Sequence, residues 1–204
     1  MSDLSERYEH HHRERRDEGD FVFVPERIPL LVGAVGTGKR VLDLGCRSGA
    51  LTRHFLTGNS VVGLDVDAAA LEKAAALGIE PVQANVEEPL PFEDGSFDAV
   101  VAGELLEHLQ FPDALVAEIR RVLRADGVLA GSVPNAFRLQ SRLRFLRGKP
   151  PEDDPTHLRM FSPAAVRELL RDFRDIELAF VGGRYARLNA RLFARDLVFT
   201  ASRP

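Results

Sequence analysis

The run Arg40-Val-Leu-Asp-Leu-Gly-Cys-Arg-Ser-Gly49 constrains this chain more than any other stretch, because a β-branched and aliphatic segment meets an acidic residue and then two glycines four apart. It reads as a buried strand, a tight turn and a helix N-terminus, the local geometry of a nucleotide-type cofactor site. Glycine lets the backbone pass close to a ligand, and free N–H groups at the head of the next helix would point at it. The acidic residue decides which ligand. A dinucleotide fingerprint opens its turn with glycine and receives a pyrophosphate, whereas here Asp43 stands first, Gly45 second and Ser48 third. A carboxylate aimed at that crevice repels phosphate and suits a ligand that presents an amine or another cation, which argues against a nicotinamide-dependent reductase.

The stretch Asp43-x-Gly45-Cys46-x-x-Gly49 is similar to the first motif of class I S-adenosylmethionine-dependent methyltransferases. The resemblance continues in the family's order through Val61-Val-Gly-Leu-Asp65, Pro89-Leu-Pro-Phe92, Gly95-Ser-Phe-Asp98, Glu107-His-Leu109 and Leu123-Arg-Ala-Asp-Gly127. It covers residues 40–135 well and the remainder more loosely, where Thr156-His-Leu-Arg-Met-Phe161 resembles a T-H-x-R-x-F element of small-molecule, ubiquinone-biosynthesis-like branches. The resemblance implies an α/β, Rossmann-like three-layer sandwich with a seven-stranded, mostly parallel sheet and one antiparallel strand. It implies S-adenosyl-L-methionine as cofactor and in-line methyl transfer to a small-molecule acceptor. The competing reading keeps the cofactor and loses the chemistry: a catalytically inactive S-adenosylmethionine-binding protein that acts on a partner.

The resemblance assigns the cofactor to Asp43, Gly45, Cys46 and Gly49, to Asp65 and its neighbour Val66, to Asn85 and Val86, and to Gly103 and Glu104. Stereochemistry supports part of this. Asp65 ends the second predicted strand about twenty residues beyond Gly45, where an acidic side chain accepts both ribose hydroxyls. The bland alternative is that Asp65 and Asp67 only cap the following helix, and Asp67 is the better cap. Asn85 stands where the family usually has an acidic residue at the adenine amino group; its amide oxygen still accepts that bond, without the charge. Gly103 and Glu104 follow the central strand Phe97–Gly103 and are expected at the cofactor's methionine end. Cys46 reads as a small residue in a crowded turn rather than a nucleophile.

Catalytic residues are less legible, because the sulfonium methyl is already electrophilic and positioning supplies most of the acceleration. An imidazole's ordinary pKa lies near neutrality, which makes His108 a candidate general base; otherwise it holds a turn shared by members with different substrates. His157 lies where an insertion re-enters the sheet and is the second candidate to orient or deprotonate an acceptor. Asp153, Asp154 and His157 resemble metal ligands on paper but lack a fourth group at a defined spacing, so no metal is expected.

Around this centre the sequence predicts helices over Ser48–Thr57, Ala68–Leu77, Pro112–Arg124 and Ala164–Arg171, and a final strand pair over Asp175–Val181 and Leu192–Ala201. Residues 21–204 form one domain, and residues 1–20 a charged, flexible arm containing His10, His11 and His12, which on a helix face different directions and share no ion. The segment at about 135–160 breaks the pattern with arginines among Leu139, Leu143 and Leu146, the stripe of a lid at the rim; its arginines serve an anionic or lipid-like substrate or ordinary solvation. The net charge of −4 disfavours nucleic acid or an anionic membrane as partner. There is no span-length apolar stretch, the head of the chain is not a signal peptide, and the lone cysteine fits a reducing compartment, so the cytoplasm is expected. Composition sets no oligomeric state.

Overall fold

The computed structural model describes residues 24–151 and 154–204. The arm expected over residues 1–20, Phe21 to Phe23, and Glu152 and Asp153 lie outside the described residues.

Seven strands form one sheet in the order β3-β2-β1-β4-β5-β7-β6. They are β1 Arg40–Leu44, β2 Ser60–Asp65, β3 Glu80–Gln83, β4 Phe97–Gly103, β5 Leu123–Pro134, β6 Arg174–Val181 and β7 Asp196–Ser202. β3, β2, β1, β4 and β5 pair in parallel, and β7 runs antiparallel to both β5 and β6. This is the expected sheet, and its order reverses beside β1 and β4, which opens a crevice at their carboxyl ends.

Side chains alternate across the sheet with period two, and both faces are apolar because both are covered. Leu42, Leu44, Val62, Leu64, Val100 and Ala102 share one core with Leu115 and Ile119 of α3 (Pro112–Val122) and Val166 of α5 (Pro163–Leu169). Val41, Val61, Ala99 and Val101 share the other with Val35 of α1 (Ile28–Val35) and Ala74 of α2 (Ala68–Ala76). In α3 the buried positions are Leu115, Val116, Ile119 and Val122, the stripe that helical spacing demands. Full burial of a side chain such as Ile119 contributes about 1.5–3 kcal/mol.

Two expectations need correction. No α-helix spans Ser48–Thr57; Thr52–His54 form a 3-10 turn instead. Arg47 and Gly49 have φ of 50° and 81°, which keeps the chain out of helical geometry, and Thr52 and Phe55, three apart, both turn inward to buried positions. The last strand begins at Asp196 rather than Leu192, because Asn189 caps a short helix α6 (Ala190–Phe193) by accepting the Leu192 N–H at 3.2 Å. In the insertion, α4 (Leu139–Leu146) buries Ser141 and exposes Leu143 and Leu146.

On α3, Glu118 and Arg121 are tied down by hydrogen bonds rather than left to solvent. Arg121 donates to the carbonyls of Phe92 (2.7 Å) and Leu90 (3.0 Å) and to Asp94 and Glu118, while Glu118 accepts the Leu90 N–H at 2.8 Å. Together they fasten the proline turn between β3 and β4 to α3. Arg121→Ala is expected to cost about 1–2 kcal/mol, a Tm decrease of roughly 2–8 °C in a melt followed by circular dichroism. An unchanged Tm would show that the staple contributes nothing.

Candidate active site

The ends of β1, β2 and β4 meet at the crevice with two buried carboxylates. Asp43 is 2% exposed and accepts a 2.6 Å hydrogen bond from the Thr52 hydroxyl. Burial pushes its carboxyl up to about 7; the Thr52 bond pulls the other way, and the charge of Asp65 adds to the rise. Asp65, also buried, accepts the backbone N–H of Arg47 and of Asp67, each at 2.9 Å. Asp67 accepts the N–H groups of Ala69 and Ala70 and caps α2. The capping role therefore belongs to Asp67, and Asp65 braces the turn between β1 and the crevice. Val66 contributes its carbonyl to the side-chain amide of Gln83 at 3.0 Å.

The glycine turn spends its donors internally. The N–H groups of Gly45 and Cys46 both go to the Leu64 carbonyl (2.8 and 3.2 Å), that of Gly49 to Cys46 (2.9 Å), and that of Arg47 to Asp65. With no helix N-terminus behind it, this turn is not an anion cradle. Gly45 and Gly49 both have positive φ, and a Cβ on Gly49 would lie 2.6 Å from Ile79. Arg47 holds a left-handed conformation without being glycine, a strain of about 1–2 kcal/mol. Cys46 packs where a Cβ on Gly63 would come within 2.7 Å of its sulfur. Burial, then the charges of Asp43 and Asp65, hold its thiol far above the ordinary range, so it is no nucleophile.

On the far side, the Asn85 side-chain oxygen accepts the Glu87 N–H at 3.0 Å, and Val86 packs against the main core. A Cβ on Gly103 would lie 2.8 Å from Leu51. Glu104 follows with φ of 54° and accepts a 2.7 Å bond from the Ser132 hydroxyl. Arg27, buried and absent from the sequence-derived site, ties β4 to β7: its Nη1 lies 3.1 Å from Glu104 Oε1 and 3.1 Å from Asp196 Oδ2. Burial and the Glu104 charge hold the Asp196 carboxyl up, partly offset by Arg27. The Glu104 side chain is thus anchored toward β5 and β7, a contact that no local pattern announces.

The two candidate bases, 49 positions apart in sequence, come together. The His108 and His157 rings meet edge to face with centroids 4.7 Å apart. The Glu107 carbonyl accepts the N–H groups of Leu158 (2.9 Å) and Arg159 (3.0 Å), and the Arg159 guanidinium donates to the carbonyls of Leu109 and Gln110. His108 Nδ1 contacts the Thr156 carbonyl at 3.3 Å and the Thr156 hydroxyl at 3.1 Å. The Thr156-to-Phe161 element is therefore stitched onto the Leu106–His108 turn. Glu107 is 1% exposed, with its Oε1 4.0 Å from His108 Nε2.

A family model described as a methyltransferase domain matches residues 42–131, the span from β1 through the middle of β5. A probable S-adenosylmethionine-dependent methyltransferase of Mycobacterium tuberculosis is 32% identical over 149 residues, covering 72% of this chain and 52% of that protein. A ubiquinone biosynthesis O-methyltransferase of Pasteurella multocida is 30% identical over 140 residues, covering 58% of each. The chain thus spans little more than half the length of these curated relatives. Two solved structures share the fold. A SAM-dependent methyltransferase from Archaeoglobus fulgidus superimposes with TM-score 0.71 at 19% identity over 87% of this chain and 91% of that one. A SAM-dependent methyltransferase from Thermotoga maritima, described as a possible histamine N-methyltransferase, gives TM-score 0.74 at 16% identity over 100% of both. With the reversing sheet, the paired carboxylates at its carboxyl ends and these matches in hand, the chain is similar in sequence over residues 42–131, and in fold throughout, to S-adenosylmethionine-dependent methyltransferases.

Proposed function

We propose that this protein transfers a methyl group from S-adenosylmethionine to a small-molecule acceptor, with the cofactor lying from Asp65 across Gly45 to Gly103. One observation carries the reading: two buried carboxylates stand at adjacent strand ends while the turn between them keeps its N–H groups for itself. That donor set fits an adenosyl sulfonium, which offers ribose hydroxyls and a positive charge, and does not fit a pyrophosphate. Asp65 takes the ribose hydroxyls, Asp43 offsets the cationic end from beneath the turn, Asn85 and Val86 border the adenine, and Gly103 with the Glu104 backbone borders the methionine end.

When bound, the sulfonium supplies an already electrophilic methyl carbon. The chain's part is to orient the acceptor in line, to keep water out, and to receive a proton if the acceptor is a hydroxyl. His108 and His157 are the groups proposed for that proton. The insertion at 135–160 forms the acceptor side of the rim. The ubiquinone-biosynthesis O-methyltransferase relatives and the absence of a broad basic face support a small acceptor over a nucleic acid. Among the described residues no helix is long and apolar enough to cross a membrane. A lone, buried cysteine supports a cytoplasmic setting.

The test is calorimetric titration with S-adenosylhomocysteine and with a nicotinamide dinucleotide, followed by labelled methyl transfer to a panel of hydroxylated aromatic and aliphatic small molecules. Homocysteine-cofactor binding and a labelled product are expected. Binding without transfer to any acceptor would favour the inactive partner protein, and tighter binding of the dinucleotide would sink the cofactor assignment.

A further inference from the structure

We infer that Glu107, His108 and His157 bind one divalent first-row transition ion at the rim of the crevice. One ligand atom from each, the two imidazole nitrogens and a carboxylate oxygen, all lie within 4.8 Å of one another. Two imidazoles with one carboxylate form a donor set for such an ion rather than for magnesium or calcium, which favour oxygen alone. Bond lengths of about 2.0–2.2 Å put ligand atoms roughly 3–3.5 Å apart, so binding draws the three inward by about an ångström.

Hydrogen bonding fixes which nitrogen of His108 faces the cluster. The Thr156 carbonyl can only accept, and the Thr156 hydroxyl donates its own hydrogen to Asp154 Oδ1 at 2.6 Å. Nδ1 therefore carries the hydrogen, and in neutral imidazole Nε2 turns its lone pair toward Glu107 Oε1, 4.0 Å away. The outward Nδ1–H held by backbone oxygen is the arrangement that orients a metal-bound histidine. The backbone bonds from Leu158 and Arg159 to the Glu107 carbonyl hold His157 against the same turn, so the site is assembled by the fold rather than by loop chance.

Glu104, three residues before Glu107, is held by Ser132 and Arg27 and stays out of the ligand set. Three protein ligands leave at least one position open, and an acceptor hydroxyl fills it, a role that rests on the methyl-transfer reading above. With both imidazoles on the ion, His108 and His157 act as ligands and not as the bases of the ion-free site; the proton of the ion-bound hydroxyl leaves to solvent, and the oxygen bonds the methyl carbon as the carbon–sulfur bond breaks and its electron pair stays on sulfur.

The full chain is titrated calorimetrically with Co2+, Zn2+ and Mg2+ after chelator treatment, in a His10→Ala, His11→Ala, His12→Ala background that removes the N-terminal histidines as competitors. One Co2+ or Zn2+ per chain is expected, with Mg2+ weaker, and Glu107→Gln and His157→Ala each weakening the ion by at least about tenfold. Unchanged thermal melts in chelator keep a folding defect from passing as lost ligation. No ion bound at about 1 mM, or binding untouched by both variants, overturns the site. S-adenosylhomocysteine affinity, read on the same samples, tells that failure from a failure of the cofactor assignment. Chelation should lower turnover without changing that affinity; turnover indifferent to chelator overturns the acceptor role.

Discussion

Asp65→Ala is expected to weaken S-adenosylhomocysteine binding by about 100-fold or more, read by calorimetry. A carboxylate that accepts two ribose hydroxyls makes two charge-assisted hydrogen bonds worth about 1.5–3 kcal/mol each, and alanine replaces neither. The same carboxylate accepts the N–H groups of Arg47 and Asp67, so its removal leaves both donors without this acceptor and loosens the glycine turn. A stability loss of about 1–3 kcal/mol accompanies the binding loss, which requires titration well below the variant's melting point. Asp65→Asn keeps one side-chain oxygen as acceptor and should fall between parent and alanine in both measurements. A dissociation constant unchanged in Asp65→Ala would remove the ribose assignment and leave Asp65 as a brace for Arg47 and nothing more.

How much of this was legible in the sequence divides by the range of the interaction. The strands were readable because a strand buried on both faces is a continuous apolar run, as in Phe97–Gly103, and the α2 cap was readable because Asp67 acts within its own turn. The order of motifs gave the sheet and the crevice. The helix expected over Ser48–Thr57 failed because Thr52 serves Asp43, nine residues back, and that tertiary bond with its 3-10 geometry overrides local propensity.

The remaining site features join residues far apart in the chain. Arg27 reaches Glu104 and Asp196, Arg121 reaches Leu90 and Phe92, and Thr156 reaches His108. None has a periodic signature, and long charged side chains read as solvated until their partners are seen. His157 had a signal, its place in the Thr156-to-Phe161 element, but that signal did not say what it would meet. Arg47 and Glu104, two of the four non-glycine residues at positive φ among the described residues, flank the crevice, and the other two, Asp126 and Asp175, lie near the starts of β5 and β6.

Asp43→Asn should separate stability from binding more sharply than any other change. The folded carboxyl titrates at about 7 against an ordinary value of 3.8, so between those pH values the folded chain holds a proton that the unfolded chain has released. Stability from this group is complete below about pH 4 and is lost as pH rises to 7, above which the fold carries a buried anion. Asparagine is neutral throughout and still accepts the Thr52 hydroxyl. At pH 8 the variant should melt above the parent by about 2–8 °C, corresponding to roughly 1–2 kcal/mol, and the difference should vanish near pH 4. Asp196 also has a raised carboxyl, so the difference between the two proteins, not the parent curve alone, isolates Asp43. Binding moves the other way. S-adenosylmethionine should lose about 10- to 100-fold in affinity, and the demethylated homocysteine form less, because only the sulfonium draws on the missing charge. In the parent, S-adenosylmethionine affinity should climb between pH 6 and 8 as Asp43 ionises, and in the variant that climb should disappear. A variant no more stable than the parent at pH 8, with the parent's pH dependence of binding intact, would mean that Asp43 is neither a buried strained anion nor the counter-charge to the methyl donor.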